Sequence, residues 1–254
     1  MNLKLNTLAA ALVLGFAAQA NATTIDNGAG GNGNLFLNVW DALTSYTQNL
    51  GYTIDSFAAA VAAPGNANIS VAMDTTFDNF LQNVANPASL QWNVMATDTV
   101  STRRIVTTYT DPAPATAKPA DVIRSTATAV QSFANAVNAT GQLATDNAAI
   151  ISVGTNGYAG ASNFGNNAGG GFNFSNSAAL GSSLSVMTVV GAASGINKGT
   201  YNPIMDGAAP VTMQFSSDNG ALVISAVPEP ESYAMLLAGL GMIGFMARRR
   251  LGRV

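Results

Sequence analysis

Aspartates are the side chains of this sequence that could most readily do acid-base chemistry. The chain has no His and no Cys, which excludes a Ser-His-Asp triad, a thiol nucleophile and a disulfide. A glycosidase instead needs two carboxylates that flank the scissile bond, and Asp74 with Asp78, or Asp98 with Asp111, could provide them. Because Asp commonly caps helices and turns, we interpret these residues as caps and predict no catalytic residue and no enzymatic activity.

The same oxygen-bearing side chains raise the alternative of a calcium site. Calcium binds carboxylate, amide and backbone oxygens, which occur together at Asp206-Gly207 and at Asp218-Asn219-Gly220. Neither segment has the ligand spacing of an EF-hand loop. A calcium-dependent adhesin therefore stays open as an alternative, although we predict no metal site and no cofactor.

Two tryptophans, Trp40 and Trp92, are the candidates for contact with a ligand. Their large rings carry a polar N–H and could form a platform for sugar rings. The other interpretation, which we favour, places both rings in the core of the strands that contain them.

The body of the chain, residues 23–227, is acidic. It contains 11 Asp, no Glu and five Lys or Arg, which gives a net charge of −6. Nucleic acids and anionic lipids are bound through basic patches, so the charge balance argues against nucleic acid as a partner. We interpret the adjacent pair Arg103 and Arg104 as part of a solvated strand edge.

Alternating apolar residues between Gly-, Asn- and Pro-rich turns indicate a body built mainly from short strands. The predicted strands cover residues 34–41, 91–96, 104–109, 148–153, 183–190, 211–215 and 221–227, with a broken strand at 44–47 and 52–54.

Residues 120–139 carry the clearest helical pattern, because their apolar side chains recur every three or four positions. Thr75 to Val84 has a similar pattern, with Asp74 as its N-cap. We therefore expect a mainly β fold with one or two helices, arranged as an antiparallel β-sandwich or a jelly-roll-like body.

Residues 1–22 have the layout of a secretory signal peptide. Lys4 supplies the positive charge, and an apolar stretch follows at 7–18. Ala20 and Ala22 are the small residues of a cleavage site. We expect the chain to be exported and cut after Ala22.

The segment 228–254 combines three features in order. Pro228, Glu229 and Pro230 interrupt regular structure, since each proline removes a backbone donor and fixes φ. Residues 233–247 are apolar and predict a short transmembrane helix of about 22 Å, which is thin against a hydrocarbon core of roughly 30 Å. This length suits a transient anchor.

A basic cluster, residues 248–253, follows the apolar segment at once and begins with Arg248, Arg249 and Arg250. Arginines beside a membrane segment stay on the cytoplasmic side. The cluster therefore predicts a stop-transfer signal that leaves the body outside the cytoplasm.

The order Pro-Glu-Pro, short apolar helix and Arg cluster resembles the PEP-CTERM sorting signal of Gram-negative bacteria that produce exopolysaccharide. The resemblance covers residues 228–254 and implies cleavage near Pro228–Pro230 by an exosortase, an integral-membrane enzyme. It implies the exosortase and the inner membrane as partners. Exopolysaccharide is a further candidate partner, for the body of the chain.

Together these observations predict an exported, non-catalytic protein of the cell surface or of the exopolysaccharide matrix of a biofilm. It would pass through an intermediate held in the inner membrane. The alternatives are a secreted polysaccharide hydrolase that uses an Asp pair and the calcium-dependent adhesin.

Overall fold

The computed structural model describes residues 24–62, 69–84, 86–110, 112, 116–160, 167–192, 199–207, 209–216 and 221–226. The predicted signal peptide and the predicted transmembrane helix lie outside these residues.

Strands dominate the described part of the chain, as predicted. They are β1 (Asn34–Trp40), β2 (Thr44–Thr53), β3 (Ile69–Ala72), β4 (Gln91–Asp98), β5 (Arg104–Tyr109), β6 (Ala148–Ser152), β7 (Ala178–Ala179), β8 (Ser183–Val190), β9 (Thr200–Pro203), β10 (Met205–Asp206), β11 (Ala209–Ser216) and β12 (Ala221–Ala226). The α-helices are α1 (Ile54–Ala62), α2 (Thr76–Gln82), α3 (Ala120–Ala139) and α4 (Leu143–Asp146), with a 3₁₀ helix at Pro87–Ser89.

Nine strands follow one another in the order β3-β12-β11-β8-β5-β4-β1-β2-β6, and the paired strands are antiparallel. The antiparallel prediction is confirmed. The architecture is not the predicted β-sandwich or jelly roll, because the strands form one continuous curled sheet. Strand twist accumulates along such a path and bends the sheet round.

Gln48 of β2 shows how far the sheet curls. Its Nε2 donates to the carbonyl oxygen of Ala72, the last residue of β3, at 3.1 Å. Its Oε1 accepts the backbone N–H of Asp74 at 3.1 Å. Since β3 is the first strand on the path and β2 the last but one, the two ends of the sheet must approach each other.

Both faces of this sheet are apolar, so the described body has two cores. Along β1, Leu35, Leu37 and Val39 join one cluster, while Phe36 and Trp40 join the other. The first cluster, here called the inner core, fills the curl together with α1 and α2. The second, the outer core, lies between the sheet and α3.

α3 spans the predicted residues 120–139, and its apolar face covers the outer core. Phe133 stacks on Phe36 of β1 with ring centroids 5.7 Å apart. Ile123, Val130 and Val137 are fully buried. α3 contacts β4, β5 and β8, so its apolar face covers the outer side of several strands.

The predicted break in the second strand is wrong. β2 is continuous because Gly51 adopts a φ of +76°, and the pairing with β1 shifts between Asn34 and Phe36. This bulge keeps the strand in the sheet. Ile54, expected to end the strand, instead begins α1 and is buried with Phe57 in the inner core. The described residues thus contain four α-helices rather than one or two.

Candidate functional site

The two candidate ligand-contact residues lie in the cores. Trp92 is 0% exposed and packs near Phe215 in the inner core, with ring centroids 6.1 Å apart. Trp40 is 3% exposed and belongs to the outer core. Because β1 and β4 are interior strands covered on both faces, neither ring presents a surface to a sugar. The burial fits the interpretation of both residues as core.

Several carboxylates bind backbone N–H groups in turns. Asp41 Oδ1 accepts from the amides of Leu43 and Thr44 at 2.8 and 2.7 Å. Asp74 Oδ1 accepts from the amide and hydroxyl of Thr76, both at 2.8 Å. Asp74 therefore binds the turn that leads into α2, one residue before Thr75, which occupies the N-cap position.

Arg104 joins two further carboxylates. Its Nη1 lies 2.7 Å from Asp55 Oδ1, and its Nε lies 3.1 Å from Asp98 Oδ2. The hydrogen bond to Asp55 and then the one to Asp98 raise the pKa of Arg104 above its usual value. Asp98 is thus held by a cation, and Asp111, its suggested partner for hydrolysis, lies outside the described residues.

The calcium alternative gains no geometric support within the described ranges. They contain no group of three or more acidic side chains able to hold a metal ion together. Asp206 lies in the short strand β10, and Asp218 and Asn219 lie outside the described residues.

A shallow surface depression of 440 Å³ lies over the first turns of α3. A second depression, of 390 Å³, adjoins it because the two share Asp121 and Ser125, and it extends to the glycines at 169–171. We call the combined feature the α3 groove. The first depression is lined by Arg103, Asp121, Arg124, Ser125 and Thr128.

Arg103 reaches the groove from the turn before β5. Its Nη1 donates to the carbonyl oxygen of Arg124 at 2.9 Å and to Thr128 Oγ1 at 2.7 Å. Its backbone φ is +54°, an uncommon conformation for a residue with a side chain. Among the described residues no carboxylate lies within ion-pair distance of Arg103, in contrast to Arg104.

Arg124, which also lines the groove, is tied to the protein by its side chain. Its Nη2 donates to Asp121 Oδ1 one turn earlier on α3, and its Nη1 donates to the carbonyl oxygen of Ala192 at 3.3 Å. The charge of Asp121 is therefore compensated locally, and the guanidinium of Arg103 adds positive charge to the groove.

The sequence did not reveal this groove. Arg103 and Arg104 were expected at a solvated strand edge, but they point to different partners, one to α3 and the other to Asp55 and Asp98. The contact between Arg103 and Thr128 joins positions 25 residues apart. The signal in the sequence that could have indicated the groove is the adjacent pair of basic residues in an otherwise acidic body.

In sequence, the described part of the body begins just after the predicted signal peptide and ends just before the predicted sorting signal. Ile25 is 2% exposed, and the side-chain amide of Asn138 both donates to its carbonyl oxygen and accepts from its N–H, each at 2.9 Å. At the other end, β12 closes at Ala226. In the part of the chain described, no helix is long and apolar enough to cross a membrane.

Comparison with protein families identifies the segment that follows β12. Residues 226–250 match the model of the PEP-CTERM protein-sorting motif, which confirms the resemblance drawn from Pro228, Glu229, Pro230 and the Arg cluster. No curated protein and no solved structure matches the chain.

The match covers 25 of the 254 residues and identifies a sorting signal, not the family of the body. The chain carries a PEP-CTERM sorting motif, and such a motif marks an exported protein that an exosortase sorts. The motif implies export through a membrane-anchored intermediate towards the cell surface.

Proposed function

We propose that this chain is a non-catalytic component of the cell surface or of the exopolysaccharide matrix, released after an exosortase cuts near Pro228–Pro230. The sorting motif at residues 226–250 carries the proposal. The predicted signal peptide at the other end, with Ala20 and Ala22 at its cleavage site, is consistent with it.

The fold supports release of an intact body. β12 pairs with β11 from Ala221 to Ala226 and with β3 along its other edge. The sorting motif begins at the last residue of this strand. A cut at Pro228–Pro230 would therefore remove the anchor without removing a paired strand.

The use of the carboxylates supports the non-catalytic part of the proposal. Asp41 and Asp74 bind backbone N–H groups, and Asp55, Asp98 and Asp121 are paired with arginines. A retaining or inverting hydrolase needs one protonated and one ionised carboxyl group beside an open substrate site. Carboxylates that hold turns and cations fit a structural role better.

Replacement of Pro228, Glu229 and Pro230 by alanine tests the sorting step. We expect the wild-type chain in the extracellular fraction and the triple variant in the inner membrane as a longer species, because the processing enzyme would lose its recognition sequence. Immunoblots of cell fractions measure both forms.

Glu231→Ala provides the matched control, since it removes the neighbouring carboxylate and leaves Pro-Glu-Pro intact. We expect this variant to be released like the wild type. Equal release of the triple variant and the wild type would contradict processing at this motif.

A further inference from the structure

We propose that the α3 groove binds the carboxylate groups of an acidic polysaccharide, with Arg103 as the main contact. This inference rests on the proposed role in an exopolysaccharide matrix and adds the class of ligand and the place where it binds.

The guanidinium of Arg103 is suited to this contact. Both of its observed bonds use Nη1, and among the described residues Nε and Nη2 have no partner. These remaining donors form the planar fork that binds a carboxylate through two parallel hydrogen bonds. The bonds to α3 hold the side chain in place before a ligand arrives, which lowers the entropic cost of binding.

The rest of the groove offers partners for sugar hydroxyls. Ser125 is exposed on this face of α3, and its hydroxyl can donate and accept hydrogen bonds. The Thr128 hydroxyl donates to the carbonyl oxygen of Arg124 and accepts from Arg103, which leaves it one lone pair for a sugar hydroxyl. The second depression continues past Val122 and Ala129 of α3 to the glycines at 169–171, and its lining is mainly apolar. An open, extended groove fits a polymer that lies across it better than a small molecule that needs enclosure.

The charge of the whole body favours a local site over general attraction of polyanions. Residues 23–227 carry a net charge of −6, which repels every polyanion at long range, an acidic polysaccharide as well as nucleic acid. Within the groove, Asp121 is paired with Arg124, so the charge of Arg103 dominates. A carboxylate in this groove meets a guanidinium that has no carboxylate partner among the described residues.

Binding of a labelled oligogalacturonate to the full chain in detergent tests the proposal by fluorescence anisotropy, with dextran of equal length as the uncharged probe. We expect the oligogalacturonate to bind, the dextran to bind far more weakly, and added salt to weaken binding. Arg103→Gln should weaken binding by at least about tenfold, because it removes the charge and both hydrogen bonds of the fork, and one charge-assisted hydrogen bond alone accounts for about tenfold. Lys118→Gln makes the same change in charge outside the groove and should stay within about twofold of the wild type.

Ser125→Asp supplies a second variant that does not disturb the bonds of Arg103. It places a carboxylate in the groove and should reduce binding by at least about tenfold through like-charge repulsion, whereas Ser125→Asn should bind nearly as the wild type does. Arg248, Arg249 and Arg250 could bind the same polyanion, so all three are replaced by glutamine in the wild type and in every variant that is compared.

Four results would overturn the proposal. They are absence of binding by the wild type, equal losses in Arg103→Gln and Lys118→Gln, unchanged binding by Ser125→Asp, and equally tight binding of a single-stranded DNA probe. Release of the body by exosortase is measured separately in cell fractions. A groove that does not bind the oligogalacturonate would therefore not contradict the sorting step, and a failed sorting step would not contradict binding in the groove.

Discussion

At the scale of single residues, Tyr46 links the inner core to the closure of the sheet. It is fully buried, its ring packs edge-on against Phe77 with centroids 5.1 Å apart, and its hydroxyl donates to Gln48 Oε1 at 2.5 Å. Burial, and then the negative charge of Asp74, raises the pKa of the Tyr46 hydroxyl above its usual value of 10.0. The folded state therefore keeps this proton at pH values where the unfolded chain releases it.

This difference predicts a loss of stability in alkali that depends on Tyr46. Because the pKa is raised on folding, the contribution of Tyr46 is fully present below pH 10 and falls as the pH rises above it. We expect the free energy of unfolding to decrease above pH about 10 with a slope of up to about 1.4 kcal/mol per pH unit from this residue. Tyr46→Phe should flatten the decline, as urea unfolding at pH about 8 to 11 would measure.

The slope should not disappear altogether in Tyr46→Phe. Burial also raises the pKa values of Tyr52, Tyr158 and Tyr201, so these residues continue to contribute. An identical decline in the wild type and in Tyr46→Phe would contradict the assignment.

At the scale of elements, Gln142 occupies the outer edge of β6. Its Oε1 accepts the backbone N–H of Ile150 at 2.8 Å, and its Nε2 donates to the carbonyl oxygen of the same residue at 3.2 Å. One side-chain amide thus replaces the pairing that another strand would give. Covering an edge in this way limits pairing with other chains.

Gln142→Glu removes the donor of this pair and sets a carboxylate beside the carbonyl oxygen of Ile150. We expect a loss of about 1–3 kcal/mol in the free energy of unfolding, since a partly buried carbonyl loses its partner. Urea unfolding followed by the fluorescence of the buried Trp40 and Trp92 measures the change. Gln82→Glu, on the exposed face of α2, should change the stability by less than about 0.5 kcal/mol, and equal effects of the two substitutions would contradict the role of Gln142.

The local sequence pattern predicted the bounds of those elements whose apolar residues keep a single helical or strand pattern along their whole length. α3 and β8 have the predicted bounds, because the spacing of Ile123, Val130 and Val137, and the apolar run at 183–190, extend over their whole length. α1 was missed because Ile54 follows strand-forming Tyr52 and Thr53, and the helix begins only after the bulge at Gly51.

The groove and the curl of the sheet depend on contacts that local pattern does not contain. Arg103 meets Thr128 across 25 positions, and Gln48 meets Ala72 across 24. Which side chain fills such a contact is decided by strand order and helix placement. The sorting motif could be predicted because its parts are contiguous and are read as sequence.

At the scale of the whole molecule, the described body lies in sequence between the predicted signal peptide and the sorting motif. Ile25 is buried close to the predicted cleavage site at Ala20 and Ala22, and β12 ends at Ala226, where the sorting motif begins. The strands from both ends of the sheet path meet around the inner core. We therefore expect residues 23–227 to be delivered outside the cell and the sorting segment, residues 228–254, to be cut near Pro228–Pro230.

The mass of the protein recovered outside the cell shows whether the body is released by cleavage at the sorting motif. Intact-mass spectrometry, with peptide mapping of the C-terminus, should show a chain that ends near Pro228–Pro230 and lacks Arg248, Arg249 and Arg250. An extracellular form that still carries these arginines would contradict release by cleavage at the sorting motif.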